Sequence, residues 1–241
     1  KDNKPAAFNE ENVPYKPAYH LPVSLEGVDQ DDFTLVYGFP GTTENYITSS
    51  DVEDVLQTIN PLRLKMRQAS LGIIDAAMRQ DELTKIQYAA KQSRISNAYK
   101  KWIGQSKGLI RHRAVEKKDS LERVFQARVE TNPDWNEKYG SLLLNMSSMS
   151  VLIEPQTISR EYFIEFYFMG PEILRYAGGY TELINMCKDK TVSDAEIAAW
   201  VDDRKSKMGY FKNYDAQVDK DIMQAQIKYF IEGQPQAFFL R

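Results

Sequence analysis

Within ten residues, Ile95-Ser96-Asn97-Ala98-Tyr99-Lys100-Lys101-Trp102-Ile103-Gly104, the chain places a carboxamide, a phenol, two ammonium groups and an indole. No other stretch concentrates as much side-chain chemistry. Asn97 is a poor residue for a helix interior, because its amide competes with the backbone for hydrogen bonds. Two readings of it are open. Its side chain closes a hydrogen bond at a helix end, or its carbonyl oxygen accepts from a ligand. A neutral acceptor suits an ammonium group, since it receives an N–H without forming a tight, slowly released ion pair. Tyr99 and Trp102 are the adjoining candidates for lining such a site.

Other chemistries find little support. The chain has two histidines, His20 and His112, and one cysteine, Cys187. They are too few and too far apart for a zinc site of ordinary spacing. His112 lies between Arg111 and Arg113, which disfavours an imidazolium there, and no Gly-x-Ser-x-Gly elbow occurs. Neither a nucleophilic triad nor a metal or other cofactor is expected within the chain. Gly38-Phe39-Pro40-Gly41-Thr42-Thr43 lacks the lysine of a phosphate loop and reads as a turn leaving a strand. Arg111, Arg113, Lys117 and Lys118 alternate with Glu116, Asp119 and Glu122, the pattern of a solvated helix face. The aromatic run Tyr162, Phe163, Phe166, Tyr167, Phe168 reads as core, with some rings turned towards a cleft.

The elements that must position Asn97 follow from periodicity. Half of the ten prolines fall in residues 1–50, which makes that region loop and strand. Strands are expected at Tyr19–Leu25 and Phe33–Tyr37, with a turn over Glu26 to Asp29. A Ser50/Glu53 capping box predicts a helix start, followed by apolar residues at helical spacing from Val52 to Met66 and a kink or restart at Pro61. Further helices are predicted over Asp81–Ile103, Gly108–Val129 and Trp135–Ile153, the last ended by Pro155. Ser159 then caps a helix that Gly170-Pro171 splits and Gly178-Gly179 interrupts. A Ser193/Glu196 capping box opens a helix to about Met208, and the last helix runs from Tyr214 to Ile231. The expected fold is mainly α: an antiparallel helical array over 51–241, behind a short β segment at 1–50.

Composition sets the limits. A chain of 241 residues can bury a core without disulfides or metals. Its formal net charge of −3 gives no global attraction to nucleic acid. No apolar run approaches the ~20 residues of a membrane span. The chain begins Lys1-Asp2-Asn3 and ends in the apolar Ala237-Phe238-Phe239-Leu240-Arg241, so we expect a piece of something longer.

Two stretches carry a resemblance. Phe33-Thr34-Leu35-Val36-Tyr37-Gly38-Phe39-Pro40-Gly41-Thr42-Thr43-Glu44-Asn45-Tyr46 resembles the Gly-Tyr/Phe-Pro-Gly-x-Thr-x-x-Tyr segment of bacterial dipeptidyl aminopeptidases of the dipeptidyl-peptidase 7 and 11 type. Ile86-Gln87-Tyr88-Ala89, Ser96-Asn97, Lys101-Trp102-Ile103-Gly104 and Gly108-Leu109 are similar to that family's helical domain, and the opening Asp2 to Pro17, with Asn12-Val13-Pro14-Tyr15-Lys16-Pro17, also fits. The resemblance covers essentially the whole chain. It implies a serine peptidase with a chymotrypsin-like double β-barrel, an inserted helical cap, and release of dipeptides from the free amino end of oligopeptides. Residues 1–50 would then be the tail of the first barrel and 51–241 the cap. The family's catalytic His and Asp would precede residue 1 and its Ser would follow Arg241, so no catalytic residue carries over. Asn97 matches the cap asparagine that helps hold the substrate's α-amino group. Ala98 departs from the family, which has a bulkier, often aromatic residue there, and Tyr99 follows it. The implied partners are an oligopeptide with a free amino end, the barrels of the same parent chain, and a second copy of the parent as a homodimer. The implied address is the periplasm or cell surface. The alternative is a stand-alone helical domain that binds peptides or proteins without catalysis.

Overall fold

A computed structural model of the chain describes residues 9–35, 37–38, 41–206 and 213–236, with the side chains of residues 205 and 206 left out. Several expectations fall partly outside this set: Val36 of the second strand, Phe39-Pro40 of the turn, the helix end at Met208, and Ala237 to Arg241. The chain divides into two compact units, Lys1–Thr43 and Glu44–Arg241.

In the first unit, turns replace the expected hairpin. Gly27 takes a left-handed φ of 76° and Asp31 one of 73°. The Asp29 N–H donates to Asp32 Oδ2 at 2.8 Å. The segments Tyr19–Leu25 and Phe33–Tyr37 make no strand among the described residues. Their alternate residues Tyr19, Leu21, Val23, Leu25, Phe33, Leu35 and Tyr37 are all exposed. Strand-forming composition yields a strand only when a neighbour accepts its N–H and C=O groups, and two lone segments are marginal in water.

The second unit is helical. Its first helix, α1 (Ser49–Asp54), is capped two residues earlier than the Ser50/Glu53 pattern predicts. Thr48 holds the extended cap conformation, its hydroxyl accepts from Asp51 N, and Asp51 returns a carboxylate to Thr48 N. A π-helical turn, Val55–Ile59, then leads into α2 (Asn60–Gln80). Pro61 falls at the first turn of α2, so the wide turn before it takes up the missing N–H and the helix runs on without a break.

Asp81 alone separates α2 from α3 (Glu82–Arg111) and caps α3, accepting from Thr84 N and Thr84 Oγ1 at 2.7 Å each. The expected end of this helix near Ile103 is wrong. Gly104 and Gly108 stay helical, and the chain turns at His112 and at Arg113, whose φ is 51°. A glycine in a helix interior costs about 1 kcal/mol, which packing of the opposite face against α2 outweighs. After that turn come α4 (Ala114–Glu130), α5 (Pro133–Tyr139, capped by Asn132) and α6 (Leu142–Phe163). Pro155 lies inside α6 and does not end it, so Ser159 is mid-helix and caps nothing. The carbonyl that Pro155 leaves without a donor belongs to Val151, an exposed residue where water serves.

A second π-helical turn, Ile164–Phe168, follows α6. Gly170-Pro171 then separates α7 (Glu172–Gly178), and Gly178-Gly179 separates α8 (Thr181–Lys188), both as predicted. The Ser193/Glu196 box forms as predicted ahead of α9 (Asp194–Ser206). The last helix, α10 (Ala216–Gly233), is capped by Asp215.

Long-range hydrogen bonds fix the helix directions. Asn60 Nδ2 bonds Gln105 and Ser106 while Gln92 bonds Asp75, so α2 and α3 are antiparallel. Arg63 pairs with Glu161 and Arg67 with Glu165, so α6 runs parallel to α2. The array is therefore helical as expected, but its α2–α6 pair breaks the antiparallel rule; α3 to α5 carry the chain back between them. Two clusters form the core. Leu71, Ile74, Tyr88, Ile95, Val218 and Ile222 seal α2, α3 and α10. Leu62, Met66, Tyr162 and Phe166 seal α2 against α6.

Candidate functional site

Helix α3 splits the ten-residue stretch between two faces. At ~100° per residue, Tyr99 and Trp102 lie about 60° apart around the axis, whereas Asn97 and Trp102 lie about 140° apart. Tyr99 is half-buried against the Leu71/Ile74 cluster. Trp102 is half-buried beneath two guanidinium groups, Arg67 at 4.6 Å and Arg63 at 5.0 Å from the ring. Asn97 is exposed, and its carboxamide makes no hydrogen bond among the described residues. The helix-end bond that would have explained it is absent, since the helix continues to Arg111. The three candidates are thus one free acceptor facing outward and two aromatic residues that hold its helix from behind.

The support behind Asn97 is ionic. Arg67 grips Glu165 with two parallel bonds, Nε to Oε2 at 2.7 Å and Nη2 to Oε1 at 3.0 Å, and its Nη1 donates to the Ile95 carbonyl at 3.4 Å. Both side chains are nearly free of solvent. Arg63 Nε bonds Glu161 Oε2 at 2.7 Å, with Arg160 at 3.5 Å from the same carboxylate. Burial pushes the Glu165 carboxyl above its ordinary value, against the pull of Arg67. Bidentate Arg–carboxylate pairs are directional. This pair therefore fixes the depth of α2 against the π turn and, through Ile95 O and Trp102, the rotation of α3. Sequence reading missed these four residues. The signal was present as Arg63-x-x-x-Arg67 and Glu161-x-x-x-Glu165, two like-charged pairs at helical spacing with opposite sign.

A concavity lies between α1, the first π turn, the start of α2 and α6. It is a cleft of about 520 Å³ with Asp51, Asp54, Arg63, Ser150, Glu154 and Glu161 among its lining residues. Most of its carboxylates are engaged: Asp51 in the α1 cap, Asp54 by Ser150 Oγ at 2.8 Å, Glu161 by Arg63. Among the described residues no group of His, Cys, Asp and Glu side chains could hold a metal ion, and no helix is long and apolar enough to cross a membrane.

The chain belongs to the peptidase S46 family, whose model matches residues 1–238. It is 37% identical to an Asp/Glu-specific dipeptidyl-peptidase of Flavobacterium psychrophilum, over 99% of this chain and 33% of the relative. It is 35% identical to the enzyme of the same name from Capnocytophaga gingivalis, over 98% and 33%. It is 32% identical to dipeptidyl-peptidase 7 of Porphyromonas gingivalis, over 94% and 30%. The chain thus spans about a third of the length of the curated relatives it matches.

Proposed function

We propose that this chain is the helical cap segment of a serine dipeptidyl aminopeptidase, and that Asn97 accepts a hydrogen bond from the substrate's α-ammonium group. Residues 1–50 are, on this reading, the tail of a first β-barrel, and 51–241 the cap. The triad stands in parts of the parent beyond this chain. On the same reading the parent works in the periplasm or at the cell surface, acts on oligopeptides with a free amino end, and assembles as a homodimer.

One observation carries the reading: Asn97 is an unbonded carboxamide on a helix whose opposite face is locked by Arg67, Glu165 and Trp102. Family membership supplies the chemistry that such an acceptor would serve. An amine held at a set distance from a nucleophile measures out two residues, so exo-specificity becomes a matter of position. Trp102 and Tyr99 enter as supports of α3, with Trp102 oriented by the guanidinium groups rather than by a substrate.

The test is Asn97→Ala in the full-length parent. The expected loss in kcat/KM on dipeptidyl substrates is about 1–3 kcal/mol, the range for an unpaired buried polar partner. Unchanged kinetics would remove the clamp role. A second reading, a helical binding domain without catalysis, draws on α6, whose Leu144, Val151 and Leu152 are exposed. It predicts a parent that binds peptides and releases no dipeptide.

A further inference from the structure

We propose that the outward face of α3 is an electrostatic docking surface for anionic oligopeptides, recruiting substrates by carboxylates on the peptide in addition to the amine. The proposal deepens the reading of Asn97 as an amine acceptor and rests on it.

The observation is a charge asymmetry. Helix α3 carries seven basic residues and a single acidic one, Glu82, at its first position. The whole chain has a net charge of −3. Of the seven, Lys91 is held by Glu172. Lys85, Arg94, Lys100, Lys101, Lys107 and Arg111 are exposed and make no hydrogen bond or ion pair among the described residues. The carboxylates packed near α3 are turned to other work: Asp75 accepts from Gln92, and Glu165 faces Arg67.

Three of these cations adjoin Asn97. Residues three and four apart are neighbours on a helix surface, which puts Arg94, Lys100 and Lys101 around the carboxamide. A ligand whose only charge is an ammonium group therefore reaches Asn97 through a field of its own sign. A peptide that also carries carboxylates, spaced to lie over the flanking turns, reverses that sign. The Debye length of about 8 Å at physiological salt lets charges within one turn act together. The surface thus selects for acidic residues along the peptide, whatever side chain precedes the scissile bond. The continuous helix makes this possible: a break near Ile103 would have separated Lys107 and Arg111 from the face.

The experiment uses this chain and two free-amino octapeptides with a neutral C-terminal dye, one alternating Glu and Ala, the other Gln and Ala. Fluorescence anisotropy is read at low and at physiological salt, with a single-stranded oligonucleotide of matched charge alongside. The Glu peptide is expected to bind about tenfold more tightly than the Gln peptide at low salt, the lower end of the range for focused fields. The difference should shrink with added salt and disappear in the double variant Arg94→Gln, Lys101→Gln. Both positions are exposed, and an unchanged circular dichroism spectrum verifies the fold. Equal binding of the two peptides, no detectable binding of the Glu peptide, or tighter binding of the oligonucleotide overturns the docking surface. N-acetylated peptides separate the two claims. A charge effect indifferent to acetylation and to Asn97→Ala overturns the amine reading alone, and weakening by acetylation without a charge effect overturns the docking surface alone.

Discussion

Arg67 holds three partners at once: the Glu165 carboxylate, the Ile95 carbonyl and the Trp102 ring. Removing one side of a buried pair leaves an uncompensated charge, so Glu165→Ala should destabilise the chain by about 3–5 kcal/mol in denaturant unfolding. Replacing Arg67 and Glu165 together by apolar residues of similar volume should cost much less, because it removes both desolvation penalties. A double variant as unstable as the single one would mean that the pair supplies net energy as well as position. Asn97→Ala should behave in the opposite way, leaving the stability of this chain within about 0.5 kcal/mol because the side chain is exposed and unbonded. At this scale the sequence was half legible. An asparagine in mid-helix is conspicuous by type. An arginine is not, and only the matched spacing of Arg63/Arg67 and Glu161/Glu165 marks those residues as partners across 98 positions.

Helices reveal their existence in the sequence more readily than their ends. Most of the predicted segments formed, and the errors lie at Ser50, Ile103 and Pro155, where local preference lost to context, and at Gly140-Ser141, where the single helix expected over Trp135–Ile153 divides into α5 and α6. A proline forbids a helix only if the carbonyl it strands has no other donor, and the Val151 carbonyl lies on an exposed side. Pro155→Ala should therefore restore one backbone bond and raise stability by about 1–3 kcal/mol, read as an upward shift in the thermal midpoint. The π turns at 55–59 and 164–168 had no signature in periodicity. The caps carry a pH dependence. Hydrogen bonds from Thr84 hold the Asp81 carboxyl below its ordinary value. A carboxyl depressed in the folded state stabilises it above the unfolded pKa, and that contribution is lost as pH falls through the folded pKa. Stability should thus drop on acidification below the ordinary carboxylate range. Asp81→Asn, which keeps an acceptor at the cap but cannot titrate, should flatten that part of the melting profile. An unaltered acid limb would show that Asp81 contributes nothing through its charge.

Every buried residue among those described lies at Thr48 or later, in the unit that begins at Glu44. Residues 9–35 bury no side chain, although seven of them from Tyr15 to Phe33 are large and apolar: Tyr15, Tyr19, Leu21, Val23, Leu25, Val28 and Phe33. Proline-rich surroundings, with β-branched and aromatic residues bounded by turn residues, are what made Tyr19–Leu25 and Phe33–Tyr37 read as strand. A sheet is a property of pairs of segments, so a sequence can specify a strand while the partner lies elsewhere. Helices close their hydrogen bonds within one segment, which is why the array was legible in this chain and the β segment was not observed. The two units should then be separable in stability. A variant beginning at Glu44 keeps the Ser49–Glu122 bonds, the Thr48 cap and both core clusters. It should retain its helical circular dichroism and melt within about 2 °C of the full chain, the shift that ~0.5 kcal/mol produces in a domain of this size. A large fall in midpoint would mean that the first unit contributes stability to the helical one, and that its exposed apolar residues are not what supports a strand elsewhere.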